Sequence, residues 1–239
     1  MKVSTSLLIL VFIFGASHAV SEVRLGSGIN QYELGLHADI LQDSSGNLTI
    51  EQVSSSDYKS HWVRSQQAVP NFSFSDNTYW LRIAFTSELE FSKVYWFELA
   101  FALQDYVDYY LLKEGSVEHA VKTGDRLPFD SRPFEYRNFL FDFPIAPNET
   151  KTIYLRLGSH DGIHEPSPIT LWDKEAFAFS SNIDSLGLGL YFGIMIVMVI
   201  YNLFIYFVVR DETYIYYVLY IYVLVSDILW LLFSIPLAR

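Results

Sequence analysis

The chain contains no cysteine, so neither a disulfide framework nor a thiolate metal site is open to it. That absence suits a bacterial envelope protein better than a small animal ectodomain, which leans on disulfides. Positive charge is also scarce. The whole chain carries 16 Lys+Arg against 27 Asp+Glu, and Val20 to Ile183 alone carries 13 against 23. A domain with that balance repels phosphate backbones and anionic lipid surfaces, which argues against a nucleic-acid partner. No serine nucleophile elbow, phosphate loop or dinucleotide fingerprint occurs. The last shortage organises the rest: the 24 residues from Leu186 to Val209 hold no charge at all, and Asn202 is their most polar side chain.

A helix over Leu186–Val209 would extend ~36 Å at ~1.5 Å per residue, enough to cross a ~30 Å hydrocarbon core with some tilt. Arg210 to Thr213 forms a polar break, and a second apolar run covers Tyr214 to Leu237. Residues 186–209 and 214–237 are therefore expected to be two transmembrane helices. Asn202 and Asp227 are their intramembrane polar residues, and the lipid bilayer is a partner. The first 19 residues read as a signal peptide: Lys2 supplies the positive end, Leu7 to Phe14 the apolar core, and Ser17-His18-Ala19 a small-x-small cleavage site. Export of the N-terminus makes the first helix run inward and leaves Arg210 to Thr213 in the cytoplasm. The positive-inside support for that orientation is Arg210 alone, offset by Arg239.

Between the two membrane signals lies about 160 residues, ample for one core. Val20 to Gln31 reads as a leader or linker, Asp43 to Gly46 as a turn, and Thr49 followed by Gln52 as a capping box opening a short helix. The remainder alternates with a period of two. Strands are expected over Thr78–Thr86, Val94–Phe101, Tyr106–Leu112, Glu118–Lys122, Tyr136–Phe143, Thr152–Gly158 and Ser167–Trp172. Glu114-Gly115, Pro144 to Asn148 and Pro166 mark turns between them. Short strands at that spacing predict an all-β jelly-roll or β-sandwich domain, followed by transmembrane α-helices.

The alternation assigns faces. Tyr79, Leu81, Ile83, Phe85, Phe139, Phe141, Phe143, Ile153, Leu155, Leu157, Ile169 and Leu171 form the expected core. Trp80, Arg82, Tyr110, Asp142, Tyr154, Arg156 and Trp172 point outward. Flat rings mixed with charged hydrogen-bonding groups suit a polar small ligand such as a carbohydrate, whose C–H faces stack on rings. Cross-strand pairing on a solvated face, with a tryptophan or two under a loop, accounts for the same residues, and the alternation leaves both readings open.

Other chemistry is thinner. His160 and His164, four apart, would meet on a helix, but Gly162, Pro166 and Pro168 make this an exposed loop, so no metal is expected. Asp105 and Asp108 fall on opposite faces of a strand and make no acid/base pair. Arg82, Asp125, Arg132 and Arg156 suit ion pairs holding loops to the sandwich as readily as ligand contacts. No cofactor and no enzymatic activity are expected.

A family resemblance rests on motifs met in order. They are Asn77-Thr-Tyr-Trp-Leu-Arg-Ile83, Asp105-Tyr-Val-Asp108-Tyr-Tyr-Leu, Thr123-Gly-Asp-Arg-Leu-Pro-Phe129, Arg132-Pro133 and Tyr154-Leu-Arg-Leu157. Gly193, Tyr201-Asn202 and Arg210-Asp211 with Tyr214 continue the series. From about Asn30 to Phe179 the chain resembles the type 2 extracellular domain of bacterial seven-transmembrane receptors with diverse intracellular signalling modules (7TMR-DISM). The membrane runs resemble the start of that family's seven-helix domain. The resemblance implies a jelly roll similar to carbohydrate-binding modules, at residues 30–179, sensing a carbohydrate or similar small ligand outside a bacterial inner membrane. It also implies a fragment, since only two of seven helices and no cytoplasmic output module are present. A homodimer stays open. The competing reading is a membrane-anchored adhesion or protein-interaction module.

Overall fold

A computed structural model describes residues 22–164 and 167–237. The signal-peptide reading of residues 1–19 and the turn at Pro166 lie outside the described residues. The larger sheet joins β4 (Val63–Arg64), β3 (Asp39–Asp43), β6 (Thr78–Ser87), β11 (Thr150–Gly158), β8 (Tyr106–Lys113) and β9 (Ser116–Thr123) in that order. Here β1 (Glu22–Leu25) runs parallel to the second half of β6, Glu22 opposite Ala84, on the edge whose first half takes β3. The smaller sheet runs β10 (Phe139–Ile145), β7 (Lys93–Leu99), β13 (Ile169–Trp172), β2 (Gln31–Glu33). A two-residue pairing of β5 (Ser73–Phe74) with β12 (Ile163–His164) stands apart. This is a mostly antiparallel sandwich.

The inward set behaves as alternation requires. Leu81, Ile83 and Phe85 from β6 meet Phe139, Phe141 and Phe143 from β10, Tyr95, Phe97 and Leu99 from β7, and Ile153, Leu155 and Leu157 from β11. Tyr109 stacks flat on Phe141, ring centroids 4.4 Å apart, across the two sheets. Burial of this size is the main stabilising term for such a domain.

Four local expectations need correction. Val20 to Gln31 is not merely a leader or linker: β1 lies within it, β2 starts at its last residue, and Val23 and Leu25 enter the core by the same period-two rule. Pro144 does not end its strand, because β10 is an edge strand and the missing N–H faces no partner. Tyr136 lies in a loop rather than a strand, its carbonyl accepting from the buried Arg132 guanidinium. His164 is buried against Phe72 and Tyr79, while His160 is exposed. The β8–β9 turn falls at Glu114-Gly115, both at positive φ (50° and 79°), the geometry a two-residue hairpin demands. Gly124, in the Thr-Gly-Asp motif, is fixed by sterics: a Cβ there would run into the Asp105 carbonyl.

Two helices complete the chain. α2 spans Lys174–Val209 without interruption, so it begins 12 residues before the uncharged run and directly after β13. It is long and apolar enough to cross a membrane. Arg210, in the left-handed region at φ 60°, ends it with an N–H bond to the Tyr206 carbonyl, and α3 (Thr213–Leu237) returns alongside. The short helix α1 (Ile50–Ser54) starts at the Thr49–Gln52 capping box, Thr49 N–H donating to Gln52 Oε1 at 2.9 Å.

Candidate functional site

The seven outward residues do not share one face. Trp80, Arg82, Tyr110, Tyr154 and Arg156 sit on the outer side of the larger sheet, whereas Asp142 and Trp172 sit on the outer side of the smaller one. Nor do the rings lie open. Alternation says only that a side chain leaves the main core; it cannot say what lies beyond.

On the larger sheet, α1 and the 3-10 turn Ser56–His61 form a cover. Ile50, Val53 and Trp62 pack on Trp80, Tyr110 and Tyr154, producing a second small core in which Trp80 is 0% exposed. Trp80 stacks on Tyr110 at 5.9 Å, and Trp62 meets Tyr154 edge-on at 5.8 Å. Burial pushes the Tyr154 and Tyr110 phenols above their usual range. The charged members are engaged as well. Asp39 accepts from Arg64 at 2.7 Å and Arg82 at 2.8 Å, and the Arg82 guanidinium lies 4.6 Å from the Trp62 ring centre. Arg156 pairs with Asp108 at 3.4 Å and donates to the Gly46 carbonyl at 2.8 Å, pinning the turn at 43–46 to the sheet. The expected open aromatic face is a covered one, closed by a segment whose Val53 and Trp62 spacing carries no strand or long-helix signal. Among the described residues Trp80 Nε1 is buried without a hydrogen-bond partner, an unspent donor beneath that cover.

On the smaller sheet the outward residues hold α2. Trp172 and Trp96, cross-strand neighbours, receive Phe177 edge-on at 5.9 and 5.1 Å, and Tyr136 closes the third side at 5.2 Å. The indoles are themselves fixed: Trp172 Nε1 donates to Glu98 at 2.8 Å, and Trp96 Nε1 to Asp142 at 3.1 Å. Asp142 also takes Lys174 Nζ at 3.0 Å. The helix start is capped by Asp173, whose carboxylate accepts from the N–H groups of Glu175 and Ala176 and meets Lys93 Nζ at 2.6 Å. Burial works against the Asp173 charge, but Lys93 and the two N–H groups outweigh it and hold the carboxyl below its usual range. Further along, Arg137 reaches Asp184 at 3.5 Å.

Sequence reasoning missed Trp96, Tyr136, Lys174 and Phe177, although β7 alternates cleanly and its outward Trp96 was a readable signal. Phe177 was hidden because the helix was dated from the uncharged run.

At one end of the sandwich, the loops after β7, β9 and β11 are tied together. Gln104 donates to the Gly158 carbonyl at 2.6 Å, Asp105 accepts from His160 N–H at 2.6 Å, and Arg132 caps the carbonyls of Arg137 and Ala102. Asp105 and Asp108 serve separate ion pairs, with Arg126 and Arg156. Among the described residues no group of three or more His, Cys, Asp or Glu is placed to hold a metal. Of the two polar residues expected inside the membrane, Asn202 Nδ2 donates to the Met198 carbonyl of its own helix at 2.8 Å, and Asp227 is exposed on α3.

No curated protein matches the chain. Among solved structures, two crystal structures of an exo-β-1,3-galactanase from Phanerochaete chrysosporium with β-1,3-galactotriose align at 11% and 12% identity, with TM-scores of 0.25 and 0.23. The alignments cover 59% of this chain and 28% of the galactanase chains, so this chain spans little more than a quarter of their length. A likeness that loose has no bearing on activity. Two family models match. The description "7TMR-DISM extracellular 2" matches residues 35–173, and "7TM diverse intracellular signalling" matches residues 184–234. With a sandwich under the first match and an apolar helix pair under the second, the chain is a membrane protein of the 7TMR-DISM receptor family, carrying its type 2 extracellular domain and the start of its seven-helix domain.

Proposed function

We propose that the chain is the sensing part of a signal-transduction receptor in a bacterial inner membrane. Its sandwich faces the periplasm or exterior, binds a carbohydrate or similar polar small ligand, and biases transmembrane helix packing as a result. One observation supports the transduction step above all. α2 is a single helix from its Asp173 cap on the sandwich to Val209, with Phe177 locked between Trp96, Trp172 and Tyr136. A shift of the smaller sheet therefore moves the membrane helix as a rigid lever, with no hinge between them. Ligand would act by binding one orientation of that lever better than another.

We assign the ligand to the covered face of the larger sheet. Arg82 and Arg156 stand at its rim, and Trp80, Tyr110 and Tyr154 become available as stacking surfaces when α1 and the following turn lift. That cover is built of short elements held chiefly by Ile50, Val53 and Trp62, so the ligand must offset the exposure of those three side chains when they lift. The alternative of an adhesion module needs a broad exposed apolar patch on the sandwich. The absence of cysteine makes the test direct. Spin labels on cysteines introduced at Val117, on the exposed β9, and at Val209, at the far end of α2, report the lever's angle in nanodiscs. A saccharide that binds should shift the distance distribution by several ångströms. Saturating binding with an unchanged distribution would refute transduction through α2, and a wide saccharide panel with no binder would refute the ligand class.

A further inference from the structure

A cleft of about 400 Å³ lies where the sandwich meets the membrane helix, walled by Glu135, Tyr136 and Arg137 on one side and by α2 on the other. The α2 wall consists of Ser181, Asp184, Ser185, Leu188 and Phe192. Counted from Ser181 these stand at i, i+3, i+4, i+7 and i+11, one continuous face of a helix. The face changes character along its length: two hydroxyls and a carboxylate come first, then two large apolar side chains. The change falls at Leu186, where the uncharged run begins. From Ser181 to Phe192 the rise is ~16 Å at ~1.5 Å per residue, whereas the headgroup layer on one side of a bilayer is roughly 5–8 Å deep. The cleft therefore starts in the headgroup layer or just above it and ends among acyl chains.

We propose that this cleft is a binding site for a zwitterionic amphiphile with a phosphate and a primary ammonium in its head, the chemistry of a phosphoethanolamine lipid. Arg137 is the cation on the rim, and its pairing with Asp184 is long and exposed (3.5 Å, side chains 41% and 56% accessible), so its guanidinium is free to take a phosphate. Glu135 and Asp184 exceed it by one negative charge and accept hydrogen bonds. They suit an ammonium with N–H donors and disfavour a purely anionic head. Leu188 and Phe192, half-buried in the cleft while their helical neighbours Leu190 and Ile194 are exposed, receive the start of a chain. The site is separate from the covered face of the larger sheet and does not depend on the sandwich's ligand. Because it lies between the Tyr136 loop and α2, its occupant wedges the same joint that Phe177 holds.

The test uses the whole chain in nanodiscs made with equal parts phosphatidylethanolamine, phosphatidylglycerol and phosphatidylcholine, released into detergent and read by native mass spectrometry. Retention of phosphatidylethanolamine at least ~10-fold above the other two is expected, since one lacks the ammonium and the other its N–H donors. Arg137→Ala and Ser181→Phe should each abolish the preference, the first by removing the phosphate partner and the second by filling the cleft; Arg137→Lys should keep part of it. Near-ultraviolet circular dichroism of the Trp96, Trp172 and Phe177 cluster shows whether each variant keeps its fold. A second arm adds lysophosphatidylethanolamine to the protein in phosphatidylcholine discs. Retention of this added form identifies a diffusible amphiphile as the source, and retention from the bilayer alone identifies the surrounding lipid. Equal retention of all three lipids, or folded variants with an unchanged preference, overturns the assignment.

Discussion

Replacing Phe177 by alanine should free the helix from the sandwich while leaving the sandwich folded. Phe177 is 7% exposed, and three rings meet its edges or face at 5.1, 5.2 and 5.9 Å. Truncating a buried phenylalanine costs about 3–5 kcal/mol, a range that already contains the ~0.5–1.5 kcal/mol carried by each edge-to-face pair. The other ties across this joint cannot replace it. Lys174–Asp142 and Arg137–Asp184 are exposed ion pairs worth at most about 1 kcal/mol each, and Lys93–Asp173 is only partly sheltered. At ~1.4 kcal/mol per factor of ten, the docked state of residues 174–185 should lose roughly two to three and a half orders of magnitude in its equilibrium against the undocked one. Hydrogen exchange of those amides in nanodiscs measures this directly, with the β6 and β11 amides as internal controls for the core. Phe177→Leu, which keeps most of the buried area but none of the ring geometry, should cost about 1–2 kcal/mol. Exchange at residues 174–185 in Phe177→Ala within twofold of the parent would refute the claim that this ring holds the lever.

Three further outcomes follow from the ion pairs and buried groups. Asp39→Ala leaves Arg64 and Arg82 without their shared carboxylate and should lower stability by about 3 kcal/mol in urea unfolding; a loss below about 1 kcal/mol would mean solvent already screens the pair. Asp173 is held below its usual carboxylate range, so its contribution to helix docking is full at neutral pH and disappears as pH falls through that depressed value; fluorescence of Trp96 and Trp172 should report undocking in acid, and Lys93→Met should move it to higher pH. Burial lowers the His164 imidazole below its ordinary value of about 6.5, against a smaller opposing pull from the Asn77 and Ser75 backbone, so the unfolded chain binds the proton first and stability falls as pH drops below about 6.5; the melting temperature of His164→Phe should be flatter than the parent's between pH 7 and 5, and an equal slope would remove His164 from the account.

How far the sequence discloses this molecule depends on whether a feature is periodic. The period-two inward sets of β6, β7, β10, β11 and β13 are legible because each residue's face follows from its neighbours, and the uncharged run of α2 is legible because composition alone defines it. What lies against the outward residues is not periodic. Trp80 and Trp172 look alike in sequence, each an outward indole beside alternating apolar residues. One ends up under α1, reached through the loop before Trp62; the other becomes the seat of α2, reached because the chain turns straight from β13 into a helix. The first destination is set by a cover 18 to 30 residues away in the chain, the second by a helix that starts two residues on, and the alternation around either tryptophan announces neither. The same limit hid the cleft. Ser181, Asp184 and Ser185 read as an unremarkable polar lead-in to an apolar run, yet they become one wall of a site because Arg132, a buried cation bonded to the carbonyls of Tyr136 and Arg137, sets the loop that forms the other wall. A single-chain pattern shows which residues leave the core. Which surfaces then meet is decided by the few long-range ties, here Arg132, Asp39 and Phe177, and at those three points a substitution should rearrange the site while leaving the sandwich standing.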